Sequence, residues 1–429
     1  MSRFQLILLI VFGAFIVVAV LIFSLSRGGS SAGTTLAVWG SIPNHDFARL
    51  MTEGKVGEKQ GYAFKYTEVR EDMMESQFTE ALAVNQAPDL IILPHDSIWK
   101  NRNKIFTIPY QNISVQTYKN TFIEAGDLML SDAGINALPL YVDPLVLYWN
   151  RDLFSKAALV RPIAYWDEIY AASQKLTEKD GAGNILVSTM ALGETRNIPH
   201  YKEILSLLML QAGTPIILPQ AQGLKSFVAD SMGLPVTPGS AAVDFYTQFS
   251  NPAKPYYSWN RSMLPAQTNF ISGGSAMYLG FASELSEIKA KNPNLNFGLA
   301  LVPQSRVSGK ALTYGKLYSV AISKGTRNVE SALGGALILV GRESSALFSL
   351  VTLLPPARRD LLENRPQDES LALFYDAAIQ SRAWTDPDRD KTKTLFSALI
   401  DSVTSGRSRT SEALFKADND LRVIIESTK

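Results

Sequence analysis

"ALPLYVDPLVLYWNRDLF", residues 137–154, is two apolar runs with Asp143 and Pro144 wedged between them. Proline lacks a backbone N–H, so within sheets it is confined to edges, strand ends and bulges. Inside a run that otherwise reads as buried strand it marks a place where the chain leaves a sheet. A buried, unpaired carboxylate is very costly, so Asp143 is expected to face a wet cleft or a partner.

Outward from this stretch, strand-like and helix-like segments alternate, which favours layered α/β architecture. "TLAVWG" ends at Gly40 and is followed by a helix around "HDFARLM". "DMMESQFTEALAV" reads as helix, and "PDLIILP" as a short buried strand. In "AYWDEIYAASQKL" Ile169, Ala172 and Leu176 share one helical face. "SAMYLG" is a strand opening into "SELSEIKAK", with Ser283 as the expected N-cap. "NFGLALVP" and "LYSVAISKG" are further strands, and Asn328 is the expected cap of "VESALGGALILV". Leu414, Ala417, Leu421 and Ile424 mark the apolar stripe of a last helix. Ligands of open α/β sheets gather beyond the carboxyl ends of the strands. That rule nominates Trp39, Gly40, Ser41, His95, Asp96, Asp143, Gly280 and Phe281.

At 429 residues the chain is too long for one ordinary core, and two lobes are expected. Basic and acidic residues nearly balance, 41 against 40, so composition gives no support to a nucleic-acid partner. The absence of cysteine excludes disulfides, thiolate metal sites, Cys nucleophiles and a lipid-modified N-terminal Cys. His45, His95 and His200 lie far apart and share no metal-ligand spacing, so no metal is expected. "ISGGSAM" is neither a phosphate loop nor a nucleophile elbow, so no cofactor and no catalytic residue is assigned.

Residues 6–23, "LILLIVFGAFIVVAVLIF", form an uncharged apolar run. As a helix it would span about 27 Å, close to a bilayer's hydrocarbon core. It is longer than a signal peptide's apolar region and no A-x-A site follows, so an uncleaved single-pass membrane anchor is expected. Arg3 and Arg27 flank it and leave its orientation weakly specified. "SRGGSSAGTT", residues 26–35, is a flexible tether.

Seven segments in order, among them "PDLIILPHD", "LPLYVDPLVLYWNRDLF", "FISGGSAMYLGFASELSEIKAKNPNLNFGLALVP" and "SALIDSVTSGRSRTSEAL", resemble the extracellular solute-binding proteins of ABC importers. The branch is the carbohydrate type that includes maltose-binding protein, and the resemblance runs over residues 35–425. It implies a two-lobe periplasmic-binding-protein type II fold with an inter-lobe cleft, preceded by the transmembrane helix. The implied division is an anchor (1–25), a linker (26–34) and a binding domain (35–429). Lobe 1 would take 35–140 and 318–352; lobe 2 would take 141–317 and 353–429. The first chain crossing would fall near Pro139 to Pro144, with Asp143 at the mouth between lobes. Asp143 and Asp96 match acidic positions that hold sugar hydroxyls in the family.

Two family tryptophans are absent: Leu93 stands at one position, and Phe281, Ala282 and Ser283 at the other. Tyr201, Phe281, Tyr318 and Trp384 are candidate replacements. With Trp39, Ser41, His95, Asp96, Tyr141, Asp143 and His200 they complete the expected ligand-binding set. Trp149 and Trp166 are assigned to packing, and Arg358 and Arg359 to solvated surface.

The implied function is a membrane-tethered, monomeric extracellular receptor that captures a small polar solute, a saccharide, and delivers it to ABC permease subunits. A sensor or scaffold that has lost transport is the alternative. A cleft glycosidase using Asp96 and Asp143 is a third reading, and a helix cap is the plain structural role for Asp96.

Overall fold

The computed structural model describes residues 33–428 apart from 221–222 and 307–308. The expected membrane helix and most of the tether lie outside the described residues. Among those described, no single helix is long and apolar enough to cross a membrane.

Strand β1 (Thr34–Gly40) is followed by helix α1 (Asn44–Gly54), β2 (Tyr62–Glu68), α2 (Met74–Ala83), β3 (Leu90–Pro94) and α3 (His95–Asn101). Then come the long strand β4 (Leu138–Asn150), α4 (Glu168–Leu176), β5 (Ile185–Met190) and α5 (Tyr201–Ala212). After these follow β6 (Ser275–Phe281), α6 (Leu285–Lys291), β7 (Phe297–Ala300), the second long strand β8 (Thr313–Ser323) and α7 (Val329–Leu339). The chain closes with α8 (Arg389–Thr404) and α9 (Thr410–Glu426). The sheet order is β2-β1-β3-β8-β4-β6-β5, with β7 also paired to β4.

The fold is a two-lobed α/β structure, and its division is written into β4. Residues 138–144 pair with β8, whereas 145–149 pair with β6 and 147–150 with β7. Pro144 does not end the strand, contrary to the expectation drawn from its missing N–H. It sits where β4 exchanges one set of partners for another, opposite Gly315, so no ladder donor is lost where pairing is already changing hands. A third segment passes the same point, where Val142 N–H donates to Pro355 O at 3.1 Å and Ala357 N–H to Leu140 O at 3.1 Å.

Gly315 is required by contact: a Cβ there would lie 2.4 Å from Ser381 Oγ and 2.9 Å from Val142 Cγ2. Two expected caps fare differently. Asn328 caps α7 through Ser331 N–H. Ser283 does not cap α6: a 3₁₀ turn at Ala282–Glu284 intervenes, and the Ser283 N–H donates instead to Asp143. In α9, Leu414, Ala417 and Leu421 are buried as expected, with Ile425 rather than Ile424 completing the stripe.

Candidate functional site

The strand crossing gathers charge from segments remote in sequence. Lys316 lies on β8 directly across from Asp143 on β4. Its ammonium approaches Glu71 Oε1 at 3.4 Å, and the Tyr318 hydroxyl donates to Glu71 Oε2 at 2.7 Å. Arg389, the first residue of α8, reaches in from the half that carries α5. Its Nη1 donates to Glu71 Oε1 at 2.8 Å and stands 4.0 Å from Asp96 Oδ1. Asp96 is in the first turn of α3, whose N-cap is Pro94, so it does not cap the helix. Its Oδ1 is buried without a hydrogen-bond partner.

These charges stay ionised although they are largely buried. Burial opposes ionisation of Asp96, but the neighbouring cations Lys316, Arg389 and Lys202 outweigh it and hold the carboxyl below its ordinary range. Burial likewise pulls Lys316 down, yet Glu71 and Asp96 hold its ammonium above the usual lysine value. Asp143 goes the other way: burial pushes it up to about 6, against the pull of Ser283 and Lys316. Its Oδ1 accepts the Ser283 N–H at 3.0 Å.

His95 is spent on structure. Its Nδ1 accepts the Leu317 N–H at 3.2 Å, which leaves Nε2 to carry the proton toward the Tyr314 hydroxyl, also 3.2 Å away. Burial lowers its pKa to about 4, so the ring is neutral, and it fixes α3 to the crossing strand. His200 Nε2 pairs with Glu284 Oε1 at 2.7 Å, and its ring meets Phe281 edge-on at 4.9 Å. Lys316 Nζ lies 5.4 Å from the same Phe281 ring. Tyr141 stacks on Tyr318 with centroids 4.7 Å apart. Asp96, Tyr141, Asp143, His200, Phe281 and Tyr318 are thus brought to one seam.

Tyr201 lines an open surface groove on the side of α5 and α8 with Asp390, Lys393, Thr394, Ser397 and Asp401, and none of the seam carboxylates contributes to it. Trp384 is not at the seam surface: it is a core residue, stacked on Phe396 at 6.0 Å, with Nε1 donating to Ser206 Oγ at 3.0 Å. The Lys202 ammonium lies 5.3 Å from its ring and pairs with Asp386. Trp39 and Ser41 are half-buried at the end of β1 and make no hydrogen bond to the charged cluster. Arg358 and Arg359 are tied to Asp360 and to the Phe122 carbonyl, away from the seam.

The family model described as "Bacterial extracellular solute-binding protein" matches residues 55–369. The chain belongs to the bacterial extracellular solute-binding protein family. A relative in Brucella abortus (strain 2308), named as a binding protein, is 23% identical over 284 residues, 64% of each chain. The match therefore spans just under two thirds of the length of the curated relatives. Among solved structures, a cyclic alpha-maltosyl-1,6-maltose binding protein from Arthrobacter globiformis superposes with a TM-score of 0.75 at 14% identity. That alignment covers 92% of this chain and 99% of the other. A cyclo/maltodextrin-binding protein complexed with maltotetraose gives 0.73 at 17% identity, covering 92% and 98%. At such identities the likeness is one of fold.

In this solute-binding protein the charged groups that reading the sequence missed are Glu71, Lys316, Arg389 and Glu284. Glu71 follows the end of β2, where the strand-end rule points, but the strand "YAFKYTE" had not been read. Lys316 is inside a strand and Arg389 starts a helix, and neither position carries a local signal. What the set offers chemically is a row of acceptors held ionised by two cations, suited to hydroxyl donors of a solute.

Proposed function

We propose that the chain captures a small polar solute, a saccharide, between its two lobes, and as a membrane-tethered monomer delivers it to an ABC permease. Residues 6–23 would supply the tether. The carrying observation is the convergence of Glu71, Asp96 and Asp143 with Lys316 and Arg389 at the strand crossing. A carboxylate can accept from two vicinal hydroxyls, and charge-assisted bonds are the stronger class. Closure follows only to the extent that the solute prefers the closed form.

The test is a thermal-shift panel that includes maltotetraose, tagatose and mannobiose, sugars found in the binding proteins of similar fold. A bound sugar at a hundredfold its dissociation constant should stabilise the protein by about 2.7 kcal/mol. Asp96→Asn should then weaken binding by about tenfold or more, the scale of one charged hydrogen bond. A panel of saccharides and polyols that leaves the melting temperature unmoved would favour the scaffold reading.

A further inference from the structure

Arg389 reaches Glu71 from the far side of the seam. Lys316 is built into the crossing strand, whereas Arg389 extends across from the start of α8, and its side chain is 23% exposed. Its guanidinium is fully bonded to neither side. One contact, to Glu71 Oε1 at 2.8 Å, is a true hydrogen bond. Asp96 Oδ1 at 4.0 Å and Asp390 Oδ1 at 3.9 Å are beyond hydrogen-bond reach. The Asp390 side chain is turned to solvent, so the guanidinium's only close acidic partners at the seam are Glu71 and, beyond bonding reach, Asp96. Asp96, 6% exposed, points a bare acceptor at the same place.

We propose that Arg389 is a specificity-determining side chain that competes with the solute, its guanidinium holding the donor position between Glu71 and Asp96 that hydroxyl groups of a bound saccharide take over. The inference rests on the saccharide-receptor reading and adds to it a competitor supplied by the chain itself. Withdrawal of Arg389 does not strand the carboxylates, because Lys316 remains 3.4 Å from Glu71. A neutral polyol can therefore replace the guanidinium without leaving the seam uncompensated. The apparent affinity is reduced by the fraction of molecules in which Arg389 still occupies the position. Discrimination follows from the same contest: a solute with adjacent hydroxyls can take the Glu71 oxygen that the guanidinium leaves and reach the bare Asp96 acceptor as well, whereas one with a single donor can do only the first.

The experiment is calorimetric titration of the full chain and its Arg389→Gln variant with maltotetraose, mannobiose and tagatose. The variant should bind the accepted sugar about tenfold more tightly than the parent. Equal or weaker binding by the variant overturns the proposal, since an arginine that itself grips the solute would give a loss. A second reading needs no substitution. Raising salt from about 50 mM to about 500 mM screens the partly exposed Arg389–Glu71 pair while leaving a neutral sugar untouched. Binding by the parent chain should tighten, by roughly two- to fivefold, and binding by the variant should not. Parent affinity that is flat or falls with salt also overturns the proposal. If neither protein binds any saccharide at either salt, the receptor reading fails with it; sugars bound equally by both remove only the role of Arg389.

Discussion

The Asp143 carboxyl is pushed up to about 6 because burial strips it of water and Ser283 and Lys316 replace only part of what is lost. Between 3.8 and about 6 the folded chain holds a proton that the unfolded chain has released, so stability falls as pH rises through that window. The penalty is absent below the lower value and complete above the upper one. At about 1.4 kcal/mol per pKa unit it amounts to about 3 kcal/mol. His95 opposes it. Its pKa is lowered from 6.5 to about 4, so its share of stability is lost as pH falls through that range, and the two slopes largely cancel in the parent chain. Asp143→Asn separates them, since the amide oxygen can still accept the Ser283 N–H. Urea denaturation should show the variant more stable than the parent by about 1–3 kcal/mol at neutral pH, with the gain gone near pH ~4. An identical difference at both pH values would mean that the carboxyl's ionisation is not the cause.

At the scale of elements, β4 and β8 cross from one lobe to the other as hydrogen-bonded antiparallel neighbours, and Gly315 leaves room for Ser381 to pack against the crossing. A methyl at that position would meet Ser381 Oγ at 2.4 Å and Ser381 Cβ at 2.6 Å. Gly315→Ala should therefore lower stability by about 1–3 kcal/mol, the usual range for overpacking. Ser381→Gly removes both offending atoms, so the double variant should recover at least half the loss, and strictly additive effects in chemical denaturation would argue against the clash. The strands themselves were legible because their apolar runs are bounded by Gly, Pro and polar turns, as in "PDLIILP" and "SAMYLG". Two lobes were expected from chain length, but where they divide came from resemblance, since no local pattern reveals that one strand exchanges its partners midway. Pro144 was read as the place where the chain leaves a sheet, and the change of partners does fall there, but the strand runs on through it because the missing donor is harmless where pairing changes hands. Asp96, Asp143 and Phe281 were within reach because each lies at a strand's end or at its interruption. Trp384 was not, because an indole that stacks on sugar and one that packs on Phe396 look alike in sequence.

At the scale of the whole molecule, the lobes are held together near the seam by contacts from adjacent residues of one loop and helix. Arg389 reaches Glu71, and Asp388 accepts the Lys100 ammonium at 3.1 Å, while Lys100 also binds Glu75 at 3.0 Å. Asp388 in addition caps α8 through the N–H groups of Asp390 and Lys391, so the pair ties α3 of one lobe to the start of α8 of the other. On the same side the Trp99 indole donates to Thr428 Oγ1 at 3.2 Å. Lys100→Gln keeps a polar side chain but removes the bridging charge. Its partner Asp388 retains only Lys391, at 3.8 Å. The open form should gain about 1 kcal/mol relative to the closed one, roughly a fivefold change in their ratio. Small-angle scattering should record a larger radius of gyration for the sugar-free variant, reversed by saturating saccharide because the solute favours closure. The double variant with Arg389→Gln should open further, yet by less than the sum, because residues 388 and 389 move as one unit. A sugar-free radius of gyration equal to the parent's in both variants would show that packing at the strand crossing, rather than these ion pairs, sets the spacing of the lobes.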